Sequence, residues 1–172
     1  MSAITKKICL LGDFNVGKTS LIRRFVEDKF SDRYLSTVGV KISRKSLNIK
    51  EDLKSYQVDL LVWDLEGNTK FKSITPSYLK GSSGAIIVSD LTRINTLDNL
   101  SQHINLFLEI NPEAKIAIAL NKVDLVIPEK LAKLIELHNA QTYSQALDVY
   151  PTSAKTGDRV AEMFESLSRS LI

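Results

Sequence analysis

Apolar positions along the chain fall into short unbroken runs and helix-spaced series that follow one another in turn. Ile4–Leu11 is a run that stops at Gly12, and Leu21, Ile22, Phe25 and Val26 then recur at helical spacing within Thr19–Glu27. The polar stretch from Asp28 to Thr37 reads as an exposed loop. Val38–Ile49 and Leu53–Trp63 are extended segments around Lys50-Glu51-Asp52, which predicts an antiparallel hairpin with Leu60–Trp63 buried. After Gly67 a mixed stretch reaches Gly81, and Gly84–Asp90 is the next strand. One helix is predicted from Ile94 through Leu97, Leu100, Ile104 and Leu108 to Ile110, with Pro112 marking its end. Lys115–Leu120 is a buried strand, and Pro128 opens a helix carrying Leu131, Leu134, Ile135 and Leu137. A shorter helix over Asn139–Leu147 and a last strand at Asp148–Thr152 follow. Val160, Met163, Phe164, Leu167 and Leu171 mark a C-terminal amphipathic helix.

Strands alternating with helices predict an α/β fold: a mostly parallel six-stranded sheet with helices on both faces, the hairpin supplying one antiparallel edge strand. Such sheets bind ligands at the carboxyl ends of their strands. Each polar motif of this chain follows a predicted strand, so the motifs share one sheet edge. The 172 residues suit a single domain over 1–172, and 44% apolar with 25% charged residues exclude a disordered or low-complexity chain. The apolar runs fall far short of the roughly 18 residues of a membrane span. Without a signal-like leader, and with Cys9 as the one cysteine, the cytosol is the expected compartment. Residues 1–80 hold 15 Lys and Arg against 9 Asp and Glu, a balance of +6, and residues 81–172 hold 8 against 11, a balance of −3. Lys41, Arg44, Lys45, Lys50 and Lys54 of the basic half suit a solvated strand edge better than an anionic partner. Neither aromatic interleaving nor zinc spacing points to nucleic acid.

Gly12-Asp13-Phe14-Asn15-Val16-Gly17-Lys18-Thr19 fits G-x-x-x-x-G-K-[ST] between a strand and a helix. In that context successive backbone N–H groups point at phosphate oxygens and the helix start adds positive potential. Asn15, Val16, Gly17, Lys18, Thr19 and Ser20 are the contacts expected, Lys18 bridging β- and γ-phosphates and the Thr19 hydroxyl holding Mg²⁺. The competing reading is a glycine-rich turn with a capping threonine. Asn121-Lys122-Val123-Asp124 also follows a strand. The Asp124 carboxylate can accept both the N1–H and the exocyclic amino group of guanine, a pair that adenine does not offer. Lys122 can lay its stem over the base, Asn121 can tie loops together, and Ser153-Ala154-Lys155 can present an N–H to guanine O6. In Asp64-Leu65-Glu66-Gly67 the aspartate can hold a Mg²⁺-bound water and the glycine N–H can meet the γ-phosphate. Thr37 is the candidate second hydroxyl ligand, ordering its loop around GTP.

These residues resemble the Ras superfamily of small GTP-binding proteins, and its Rab branch in particular, from Lys7 to about Leu167. Tyr34-Leu35-Ser36-Thr37-Val38-Gly39-Val40 is similar to the Rab first switch, and Trp63 to Phe71, with Asp64-Leu65-Glu66-Gly67-Asn68, to the second. The resemblance implies the P-loop NTPase small G-protein fold, GTP/GDP and Mg²⁺ as ligands, and GTP hydrolysis. It places Phe30 beside guanine, Tyr34 over the phosphates and a helix over Ile74–Leu79. Effectors, an exchange factor and an activating protein are the partners it implies; a monomer is the default state.

Three departures fall at the hydrolytic centre. Asn68 stands where the family has the glutamine that orients the attacking water, and its side chain is one methylene, about 1.5 Å, shorter. Phe14 takes the place of a small residue near the γ-phosphate, and Glu66 that of an alanine. Lys18, Asn68 and Glu66 are thus the catalytic candidates, with slow hydrolysis expected. Rescue by Glu66 or by a partner's group is the alternative, and a GTP-loaded recruiting scaffold the rival reading. The chain ends Ser168-Arg169-Ser170-Leu171-Ile172 with no cysteine to prenylate, so membrane association is expected only through partners or a missing tail.

Overall fold

The computed structural model describes residues 3–33, 36–67 and 76–172. Its strands are β1 (Ile4–Gly12), β2 (Val40–Glu51), β3 (Lys54–Leu65), β4 (Gly84–Asp90), β5 (Lys115–Asn121) and β6 (Val149–Thr152). Its helices are α1 (Lys18–Glu27), α2 (Pro76–Leu79), α3 (Ile94–Asp98), α4 (Leu100–Ile110), α5 (Pro128–Leu137) and α6 (Val160–Arg169). The six strands form one sheet in the order β2-β3-β1-β4-β5-β6, parallel throughout except for the β2–β3 pair. This is the P-loop α/β fold of small G proteins.

The central strands are continuous apolar runs because both of their faces are covered. Ile8 and Leu10 of β1 point to one face and join Ile86 and Val88 beneath α1 and α6. Phe25 of α1 and Phe164 of α6 stack there with ring centroids 4.0 Å apart. Cys9 and Leu11 point to the other face, where Ile104 and Phe107 of α4 and Leu134 of α5 close the second core. Strand β2, paired on one side only, buries Ile49 alone, which explains its run of lysines and arginines as a solvated edge.

Three local expectations differ from the structure. The hairpin turns at Asp52-Leu53, since Glu51 pairs with Lys54 and Asp52 takes the left-handed conformation at φ 50°. The helix expected over 94–110 is divided at Asn99 into α3 and α4. The segment 139–147 forms successive turns in place of a helix: the Asn139 carboxamide accepts the N–H groups of Gln141 and Thr142, competing with helical bonding. Of the helix expected over 74–79, Pro76–Leu79 is helical and the two residues before it lie outside the described residues.

The chain leaves β1 for β3 on one side and β4 on the other, so the strand order reverses at the carboxyl end of β1. That switch point opens the crevice into which Gly12, Leu65, Asp90, Asn121 and Thr152, the last residues of five strands, deliver their loops.

Candidate functional site

The loop from Gly12 to Gly17 has its carbonyl oxygens claimed one after another. Lys18 Nζ donates to Gly12 O at 3.1 Å and Asp13 O at 2.9 Å, and Arg93 Nη2 to Phe14 O at 2.7 Å. Lys122 Nζ donates to Asn15 O and Asn121 Nδ2 to Val16 O, both at 3.0 Å, and the Leu21 amide takes Gly17 O at 2.9 Å. In a trans peptide the N–H of the next residue points away from the carbonyl, so carbonyls held from outside turn the amides of 15, 16 and 17 toward the loop's hollow. Two left-handed residues make the bend: Asn15 at φ 60°, a residue type that tolerates it, and Gly17 at φ 100°. A Cβ on Gly17 would stand 2.3 Å from Asn121 Nδ2, so the two loops interlock only around glycine.

Burial presses the Lys18 pKa down to about 8 against the pull of the Asp64 and Asp13 carboxylates, with Arg93 adding to the depression. Next to it three oxygen groups converge. Thr19 Oγ1 donates to Asp64 Oδ2 at 2.6 Å, and Thr37 Oγ1 lies 2.7 Å from Thr19 Oγ1 and 3.4 Å from Asp64 Oδ2. Burial pushes the Asp64 carboxyl above its usual range despite the Thr19, Lys18 and Thr37 groups beside it, and Asp64 Oδ1 is buried with no hydrogen-bond partner among the described residues. Two hydroxyls and an under-satisfied carboxylate fit a hard cation that takes its remaining ligands from phosphate and water. No cluster of three His, Cys, Asp or Glu exists among the described residues.

The far end of the crevice is built from three loops. Asn121, 1% exposed, accepts at Oδ1 from Thr152 Oγ1 and the Ala154 amide while its Nδ2 reaches Val16. Ser153 Oγ donates to Asp124 Oδ1 at 2.7 Å, setting the carboxylate. Arg24 clasps the Ser153-Ala154-Lys155 turn through the Ala154 and Lys155 carbonyls at 2.9 and 2.7 Å. Two adjoining clefts share Asn15, Gly17, Ser20, Phe30, Ser31 and Arg33. One runs past Phe14, Lys18, Thr19, Thr37 and Gly67, the other past Lys122, Asp124, Ala154 and Lys155.

Sequence patterns pass over several of the groups that hold this site. Lys122 Nζ lies 2.7 Å from Asp90 Oδ2, and Arg93 Nε 3.1 Å from the same oxygen. Burial raises the Asp90 carboxyl, but the Lys122 and Thr92 bonds outweigh it and hold the pKa below the usual value. The end of strand β4 was a legible position for such a residue; Arg24 and Arg93 carry no motif. Glu66 turns to the first switch: its amide donates to Gly39 O at 2.9 Å, and its Oε2 accepts the Gly39 amide at 3.1 Å. Tyr34 and Asn68 lie outside the described residues.

The Ras family model matches residues 7–172. Ras-related protein Rab-31 of Rattus norvegicus is 34% identical over 96% of this chain and 82% of its own length. GTP-binding protein ypt5 of Schizosaccharomyces pombe is 35% identical over 98% of this chain and 78% of its own, and human Rab-22A is 33% identical over 96% and 82%. A phosphate-loop crevice at the switch point and a match across almost the whole chain agree: the protein belongs to the Ras family of small GTPases, in its Rab-like branch.

Proposed function

We propose that the chain is a molecular switch that holds GTP or GDP with Mg²⁺ in the crevice and hydrolyses GTP slowly. The outward-held carbonyls of Phe14, Asn15 and Val16 carry this reading, because they leave a row of amides facing where phosphates would lie. Lys18 neutralises the phosphates, and Asp124, set by Ser153, reads guanine with Phe30, Lys122 and the Ser153-Ala154-Lys155 turn around it. Thr19, Thr37 and, through a water, Asp64 would hold Mg²⁺, which supplies charge neutralisation for phosphoryl transfer when bound. Thr37 then ties the first switch to the third phosphate's presence. Gly67, packed on the phosphate loop, does so for the second.

Slow hydrolysis follows from side-chain reach. Asn68 falls about 1.5 Å short of a glutamine, and positioning errors near 1 Å cost on the order of 100-fold. Phe14, 41% exposed on the cleft wall, takes space that an activating partner's arginine needs. Glu66, with an oxygen on the Gly39 amide, favours a clasp between the switches over a role in orienting water. The second reading, a GTP-loaded scaffold that recruits effectors with negligible turnover, draws on the same Phe14 wall. Loading the protein with GTP and Mg²⁺ and following the bound nucleotide by chromatography decides: conversion to GDP over hours supports the switch, persistent GTP the scaffold, and failure to retain either guanine nucleotide overturns both. Effectors, an exchange factor and an activating protein are its expected partners, with a monomeric state and a cytoplasmic setting; among the described residues no helix is long and apolar enough to cross a membrane.

A further inference from the structure

Two polar side chains of the helical segment after β4 reach one carboxylate of the phosphate loop. Asn99 and His103 stand one turn apart, the His103 amide bonding the Asn99 carbonyl at 3.2 Å, so their side chains leave the helix on the same face. Asn99 Nδ2 donates to Asp13 Oδ2 at 2.7 Å, and His103 Nε2 lies 2.8 Å from Asp13 Oδ1. Burial favours the neutral ring, and a carboxylate only accepts, so in that ring Nε2 carries the proton and Nδ1 is left as a bare acceptor. That Nδ1 is buried with no hydrogen-bond partner among the described residues, in a side chain 1% exposed. An imidazole with one unsatisfied nitrogen is a poor choice for packing alone, since an apolar side chain of similar size avoids the penalty.

The Asp13 carboxylate is turned toward the helix, and the next carbonyl, of Phe14, is held by Arg93. Asn121 and Lys122 hold the other half of the loop, at Val16 and Asn15. A loop bent through two left-handed residues keeps its shape only while its surroundings over-determine it.

We propose that Asn99 and His103 are positioning residues: they clamp Asp13, keep the first half of the phosphate loop in its phosphate-receiving shape, and thereby slow nucleotide release. The inference builds on the guanine-nucleotide reading of the site. The test loads the whole chain with N-methylanthraniloyl-GDP and Mg²⁺, then follows fluorescence after addition of excess GDP, well below the melting temperature. His103→Leu removes the bond and the orphaned nitrogen together; release is expected to accelerate about tenfold or more while the melting temperature holds or rises. His103→Gln keeps a nitrogen donor at nearly the same reach and is expected to release within about threefold of the parent. Asn99→Ala, at a half-buried position, gives the same acceleration and serves should His103→Leu not fold. Parental release rates in His103→Leu and Asn99→Ala, or an acceleration that follows lost melting temperature and is not rescued by glutamine, overturn the clamp. A parent chain that never retains the labelled GDP overturns the nucleotide reading, and the clamp with it.

Discussion

Gly67 rests on the backbone of Phe14 so closely that a Cβ there would stand 2.6 Å from Phe14 Cα and 2.9 Å from Phe14 N. Both neighbours are main-chain atoms, which cannot swing aside as a side-chain tip can. Gly67→Ala therefore penalises the conformation in which the second switch lies on the phosphate loop and leaves any conformation with that loop withdrawn unaffected. The overlap is expected to cost about 1–3 kcal/mol, roughly 5- to 150-fold, of GTP affinity, with GDP affinity within about threefold of the parent. Competitive displacement of a fluorescent guanine nucleotide by GTP and by GDP measures both, and equal losses for the two would contradict the assignment.

Under the proposed function base selection falls to Asp124, whose carboxylate Ser153 orients at 2.7 Å. Asparagine at that position keeps the shape but offers an amide N–H where the guanine amino group demands an acceptor. Asp124→Asn is expected to weaken GDP binding on the order of 100-fold and to favour xanthosine diphosphate, whose C2 oxygen suits that N–H. Titration of the two diphosphates against one variant checks the crossover; unchanged preference would place guanine elsewhere.

The folded core admits a harsher substitution. Phe164 is fully buried and stacks on Phe25 between α6 and α1, the pair that closes one face of the sheet. Phe164→Ala is expected to destabilise the chain by about 3–5 kcal/mol, read from the midpoint of urea unfolding. A loss below 1 kcal/mol, on the order of an exposed position, would deny that face its role as core.

How much of this was legible beforehand depended on whether a feature is local. The runs Ile86–Val88 and Ile116–Leu120 announce buried parallel strands by themselves, and the phosphate loop and Asn121-Lys122-Val123-Asp124, picked out by residue type and spacing, both lie at the crevice. The division of a helix at Asn99 was hidden, since its apolar period continues through Leu100 and Ile104. Asn99 makes its side-chain bond to Asp13, 86 positions earlier in the chain. Arg24 on the Ala154 and Lys155 carbonyls is hidden for the same reason: its partners lie 130 and 131 positions away, and a helix's exposed face expects an arginine in any case.

Burial lowers the pKa of both histidines, with the Asp13 hydrogen bond opposing it at His103 and the Asp98 charge opposing it at His138. As the pH falls, the unfolded chain takes protons at these rings near the ordinary value of about 6.5, before the folded chain does. Their stability contribution is thus whole above about pH 6.5, is lost as the pH falls toward the folded values, and levels off below them. Asp59 and Asp90, whose carboxyls are held below the usual carboxylate range, add losses of the same sign only at more acidic pH. Asp64, whose carboxyl burial raises, takes its proton first in the folded chain and opposes this loss, so the histidine share is read as a difference: from about pH 7 to pH 5 the melting temperature of His103→Gln/His138→Gln should fall less, or rise more, than that of the parent. An equal slope in that double variant would assign the pH dependence to other groups.

The hydrolytic departures can be reversed one at a time. Asn68→Gln returns the missing reach, and Phe14→Gly clears the cleft wall that faces Lys18, Thr19 and Thr37. The two act on different terms: glutamine orients the attacking water, whereas removing the ring admits water or a partner's arginine. Asn68→Gln is therefore expected to raise single-turnover hydrolysis of bound GTP by about tenfold or more without any partner. Phe14→Gly should add little alone, because open space does not position water, and should increase the gain from Asn68→Gln when the two are combined. Phe14→Gly also introduces a flexible residue next to Asn15, so nucleotide retention is measured alongside, and the hydrolysis rate is taken from nucleotide that stays bound. Faster turnover in the double variant than in either single one identifies reach and access as separate obstacles. No gain in Asn68→Gln would mean that the parent already positions its water by another group, and the shortened side chain would then not be what slows the reaction.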